Sequence, residues 1–157
     1  MQDFARMDLK LWTLLSQARH SMYRFQTRRV RQYGISISQA AVLVILRFHD
    51  DNATPANISL WLMRSRNSTS QVLSRMEKDG LITKSKDLDK KNLVRVTITD
   101  KGIQIYRGLT ADMRSARRII ASLSAADRKQ LRSYLLTLRD SAVKELGTQK
   151  PPWPKSS

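Results

Sequence analysis

Between residues 64 and 82 the chain reads RSRNSTSQVLSRMEKDGLI, and five of the ten residues from 65 to 74 carry a hydroxyl: Ser65, Ser68, Thr69, Ser70 and Ser74. Asn67, Gln71 and Arg75 stand among them. This is hydrogen-bonding chemistry. Hydroxyls donate and accept, carboxamides can pair with an adenine edge, and a guanidinium can fork onto guanine or a phosphate. Ser, Thr and Asn compete for the backbone and do not favour helix interiors, so propensity does not account for them. Either the stretch is a loop, or it is a helix whose side chains serve something outside it.

Other chemistry is sparse. Cysteine is absent, which excludes disulfides, thiolate metal sites and thiol redox sensing. His20 and His49 are the only histidines and cannot build a metal site without several carboxylates. No Ser/His/Asp set, paired-acid motif or Gly-rich phosphate loop is present, so neither an enzyme nor a cofactor is expected.

The charge is decisive in one direction only. The chain has 157 residues, enough for one domain with extensions, and 29 Lys and Arg against 13 Asp and Glu give a net charge of +16. Such an excess favours polyanions, nucleic acid or an acidic membrane surface, although it also serves as plain solubilising charge. No stretch approaches ~18 consecutive apolar residues and the N-terminus has no signal-type apolar run. A soluble, cytoplasmic protein without a membrane partner is expected.

The elements that position the polar stretch follow from periodicity. Apolar residues from Phe4 through Leu11, Leu14, Leu15, Met22 and Phe25 step by threes and fours, predicting a long helix that ends before Gly34. SISQAAVLVILRFHD, with Ser36 or Ser38 as cap, is apolar on nearly every side and predicts a buried helix. Thr54 and Pro55 stand where an N-cap and first helical residue belong, and Ile58, Trp61 and Leu62 supply that short helix's inner face. In the polar stretch, Thr69, Val72, Leu73 and Met76 fall at i, i+3, i+4 and i+7, a helix seated on a core with Gly80 as its stop. Asn67, Ser70, Gln71, Ser74, Arg75 and Lys78 then share the opposite side. LITKSK and LVRVTIT alternate with period two around DLDKKN, an antiparallel hairpin with a basic tip. From Thr99 or Asp100 a helix of more than five turns is predicted through Tyr106, Leu109, Met113, Ala116, Ile120 and Leu123. Ser124 caps a last helix that runs to Gly147.

Helix, short helix, hydroxyl-rich helix and basic hairpin make a winged helix-turn-helix, in a mainly α fold with a small β-wing. The hydroxyl-rich helix would enter the major groove and the hairpin would reach the flanking backbone. A merely solvated helix face would carry chiefly Glu, Lys and Gln rather than five hydroxyls. The candidate DNA-contacting residues are Thr54; Ser65, Arg66, Asn67, Ser68, Ser70, Gln71, Ser74 and Arg75; and Lys86, Asp89, Lys90, Lys91 and Arg95 of the hairpin.

LSRMEKDGLITK, followed by an Asp-plus-basic turn and then VRVTITDKG, resembles the MarR family of transcriptional regulators over about residues 36 to 110. The resemblance implies a homodimer with interlocked terminal helices. It divides the chain into a dimerisation helix (1–35), the DNA-binding domain (36–100) and C-terminal dimerisation helices (101–147), and the Pro-rich composition of 148–157 predicts a flexible tail. It further implies a pseudo-palindromic double-stranded operator, and a repressor released by a small aromatic or anionic effector. Trp12, His20, Tyr23, Arg24 and Trp61 could line the effector pocket, though aromatic residues at helical spacing are more often core. The family's wing-tip Asp is followed two residues later by Arg. Here Asp89 is followed by Lys91, and the Asp stands one residue early. Lysine cannot fork or fit a narrow minor groove as arginine does, so Lys90 and Lys91 are assigned to backbone attraction.

Most of the excess charge stands outside this reading head. Residues 36–100 have a net charge of +3, 1–35 have +5 and 101–157 have +8. A low-specificity architectural DNA-binding protein therefore remains an alternative, as does a protein-interaction adaptor on the same scaffold. Asn67, Gln71 and Arg75 favour sequence-specific reading over both.

Overall fold

The computed structural model describes residues 2–48, 53–86, 93–111 and 113–151. The elements are α1 (Gln2–Arg31), α2 (Ile37–Phe48), α3 (Pro55–Leu62), α4 (Arg66–Lys78), β1 (Ile82–Lys86), β2 (Val94–Ile98), α5 (Asp100–Ala111), α6 (Met113–Ala121) and α7 (Ala125–Glu145). Residues 1–37 and 38–157 form two separate compact units.

The first unit is carried by α1. Its apolar residues face solvent in the single chain: Leu11, Trp12 and Leu14 are each more than 60% exposed. A 30-residue helix with that much uncovered apolar surface is built to be covered by something else.

In the second unit the core is the one the periodicities predict. Val42, Leu43 and Leu46 of α2, Ile58 of α3, and Leu73 and Met76 of α4 are fully buried, together with Leu81, Ile82 and Val96 around the hairpin. The strands pair antiparallel, with Ile82 opposite Ile98 and Lys86 opposite Val94. Ala53 extends the wing on its other edge, its carbonyl accepting from the Val96 amide at 2.8 Å. On α3 the inner face differs from expectation. Ile58 and Ser59 are buried, whereas Trp61 and Leu62 are only half-buried. Ser59 can sit there because its own hydroxyl donates to the Ala56 carbonyl at 2.7 Å.

Between the wing and α5 the packing closes tightly on Gly102. A Cβ at this position would collide with the Leu81 carbonyl oxygen, and would lie 2.8 Å from Ile98 Cγ1 and 3.3 Å from Leu43 Cδ2. The helix predicted from Thr99 or Asp100 through Leu123 is described as α5 and α6, ending at Ala121, with residue 112 outside the described residues. Ser124 caps α7 as predicted, accepting from the Asp127 amide at 3.1 Å. Beyond α7, the Thr148 amide donates to the Val143 carbonyl at 3.2 Å, and Lys150 pairs with Asp140 at 2.6 Å. Lys150 and Arg139 together hold the Asp140 carboxyl below its ordinary range.

Candidate nucleic-acid interface

The helix-turn-helix is set by its caps. Thr54 accepts from the Asn57 amide at 3.2 Å, Pro55 opens α3, and Met63 ends it in the left-handed region at φ 51°. Ser65 then starts α4, accepting from the Ser68 amide at 3.2 Å and donating to the Ser68 hydroxyl at 2.9 Å. Gly80 (φ 71°) closes the helix: its amide donates to the Glu77 carbonyl and the Leu81 amide reaches back to Met76. That pair of bonds needs a residue free to adopt positive φ. Ser65 and Thr54, both assigned to DNA, therefore have local duties first. Ser65→Ala is expected to cost about 1 kcal/mol of stability, the usual worth of an N-cap, measurable by urea denaturation without any DNA present.

Thr69, Leu73 and Met76 point into the core. Opposite them Asn67, Ser70, Gln71, Ser74, Arg75 and Lys78 are exposed. The acids that could have neutralised Arg75 are engaged elsewhere. Glu77 pairs with Lys84 of β1 at 2.9 Å, and Asp79 accepts from Gln39 Nε2 at 3.3 Å while its carbonyl accepts from Lys101 at 2.7 Å. Among the described residues, the side chains of Asn67, Ser70, Gln71 and Arg75 have no intramolecular hydrogen bond or ion pair. They form a row of donors and acceptors on a helix whose other side is locked into the core.

The wing is tied to that helix. Lys84 Nζ lies 2.9 Å from Glu77 and donates to Ser74 Oγ at 3.4 Å. Thr99 donates to the Gly80 carbonyl at 2.7 Å and accepts from the Gly102 amide at 3.1 Å, joining the end of α4 to the start of α5. Neither Lys84 nor Thr99 was among the predicted site residues. Lys84 shares a strand face with buried Ile82, and once β1 is placed this turns it toward α4. Of the predicted wing residues, Lys86 is exposed at the end of β1, and Arg95 is half-buried on β2 opposite Ser85. Asp89, Lys90 and Lys91 lie outside the described residues, as does His49.

Thr54, Arg66 and Ser70 come together around one groove of about 350 Å³, which Pro55, Ala56, Leu93 and Val94 complete. Residues from the start of α3, the start of α4 and the approach to β2 thus share a concave surface beside the exposed row. Of the residues predicted for an effector pocket, Trp12, His20, Tyr23 and Arg24 are exposed on α1, and Trp61 is half-buried on α3.

A capped two-helix turn, an exposed reading face without internal partners, and a wing bonded to it define a winged helix-turn-helix transcriptional regulator. No family model and no curated protein matches the sequence. Solved structures do match. The organohalide-sensing transcriptional regulator RdhR, solved with 2,4-dichlorophenol bound, is 29% identical over 96% of this chain and 91% of its own, with a TM-score of 0.79. MepR of Staphylococcus aureus in complex with DNA superposes with a TM-score of 0.75 at 22% identity, covering 82% of this chain and 94% of its own. A MarR-family transcriptional regulator from Streptomyces coelicolor gives 0.73 at 22% identity, covering 87% and 96%. The chain thus shares the fold of these winged helix transcriptional regulators, among them a MarR-family member.

Proposed function

We propose that the protein is a sequence-specific regulator that binds a pseudo-palindromic operator as a homodimer. In this reading it is a cytoplasmic repressor, released by a small aromatic or anionic effector. The observation that carries the proposal is the row Asn67, Ser70, Gln71 and Arg75: rigidly based, exposed and without internal partners. A helix presenting such groups can enter the major groove and exchange water for base edges without breaking any bond of its own. Thr54, Ser65, Arg66, Ser68 and Ser74 border that row, Lys86 and Arg95 stand on the wing strands, and Lys90 and Lys91, outside the described residues, are assigned with them to the flanking phosphates.

The dimer is supported by the uncovered apolar residues of α1 and by those of α7, where Leu135 and Leu138 are about half exposed. Two-fold symmetry would place half-sites about one helical turn, ~10 base pairs, apart. The effector assignment draws on RdhR, whose structure holds a chlorinated phenol. Trp12, His20, Tyr23 and Arg24 of α1 and Trp61 of α3 are the residues proposed for contact with such an effector. Among the described residues no helix is long and apolar enough to cross a membrane, which agrees with a cytoplasmic site of action.

The test begins by selecting bound sites from a random DNA pool. Wild type and Arg75→Ala are then compared on the selected site and its single-base variants, at one salt concentration. Arg75→Ala is expected to cost about 1–3 kcal/mol on the selected site and to flatten preference at one base pair. Stability should change by no more than about 0.5 kcal/mol, because the side chain has no internal partner to lose. Equal losses on every sequence would make Arg75 a phosphate contact. No loss on any would remove this face from the reading head.

A further inference from the structure

The reading head accounts for little of the charge, since residues 101–157 alone have twelve basic groups against four acidic ones. The densest part is α6. Residues 113–126 contain Arg114, Arg117 and Arg118 and no Asp or Glu. These three fall at i, i+3 and i+4, one face of the helix, with Ile119 and Ile120 on the other side. Like charges at this spacing repel and work against the helix that carries them. All three are exposed, and among the described residues none has an ion pair or side-chain hydrogen bond. The neighbouring helix behaves differently: on α7, Asp140 engages both Arg139 and Lys150. Arg139 and Lys150 thus share a carboxylate, whereas no acid engages the three arginines of α6 among the described residues.

Position decides what the cluster can touch. Arg114 to Arg118 stand 14 to 18 residues beyond Asp100, where α5 leaves the wing. At 1.5 Å per helical residue α5 alone is roughly 18 Å long, and the cluster stands on the separate helix that follows it. An arginine that far from the wing is poorly placed for the duplex held by α4, yet it retains the guanidinium geometry that suits phosphates. We infer that the arginine face of α6 binds the phosphate backbone of a second duplex segment, so that the protein bridges DNA while its reading head holds the operator. The inference rests on the reading head binding DNA as proposed above.

The experiment uses the full-length protein and two duplexes. The selected operator duplex is immobilised and loaded with protein, and a fluorescent random-sequence duplex of the same length is offered in trans at low salt. Wild type should retain the second duplex. The triple variant Arg114→Gln, Arg117→Gln, Arg118→Gln should retain about ten-fold less while binding the operator within about two-fold, since glutamine keeps helix propensity and removes the charge. Replacing the same three residues by lysine should preserve capture and also controls for folding. Capture should fall steeply with salt, and the glutamine variant should lower the slope of log affinity against log salt by about three. Wild type that holds the operator but captures nothing overturns the inference, as does equal capture by the glutamine variant. Retention of phosphatidylserine vesicles in place of duplex overturns it in favour of a membrane surface. Wild type that fails to bind the operator would refute the reading head itself, and bridging with it.

Discussion

Leu73→Ala is expected to lower the unfolding free energy by about 2–5 kcal/mol, the range for removing a buried leucine and leaving a cavity. Leu73 is wholly buried, on the same side of α4 as Thr69 and Met76. Its loss removes the apolar anchor that fixes the helix's rotation about its own axis. Urea denaturation of the purified variant measures the cost. Operator affinity, measured where the variant is still folded, should fall on every sequence alike, because a loosened helix misplaces all its side chains together. That pattern is the reverse of the one expected for Arg75→Ala, where preference changes and stability does not. A Leu73→Ala protein as stable as wild type would mean that α4 is not seated as described.

Gly102→Val is expected to cost about 3 kcal/mol or more. Inserting atoms into packed interiors usually costs about 1–3 kcal/mol, and here one obstacle is backbone rather than a yielding side chain. The Leu81 carbonyl, Ile98 and Leu43 all crowd the space a side chain would enter. The Leu81 carbonyl also accepts from the Thr99 amide at 3.1 Å, so pushing α5 away would break the joint between the wing and the helix that follows it. Thermal unfolding monitored by circular dichroism would show the loss. An unchanged midpoint for Gly102→Val would contradict the close approach.

What was legible in the sequence divides by the kind of signal. Helices with a 3.6-residue apolar period were recovered, together with the caps at Thr54–Pro55, Gly80 and Ser124, because each acts through its own local backbone; the cap at Ser65 was not, since that serine was read only as a DNA contact. The two faces of α4 were also legible, since burial of Thr69, Leu73 and Met76 leaves only one side for the remainder. Lys84 was not, because a lysine in an alternating strand reads as a solvent residue until the strand is placed against Glu77 and Ser74. Burial of Ser59 in place of Trp61 escaped for a related reason: on a two-turn helix, small shifts in packing decide which residue faces inward, and periodicity is too short to tell.

The partner-free row on α4 bears on how such a regulator changes over time. Most substitutions in a protein lower its stability, and lineages drift close to the minimum they can tolerate. Asn67, Ser70, Gln71 and Arg75 are outside that constraint, since among the described residues no hydrogen bond or ion pair is made through any of their side chains. Because these side chains share no internal bonds, exchanges among them should have nearly independent effects on stability. A duplicated copy could therefore acquire a new operator one residue at a time, through intermediates that all remain folded.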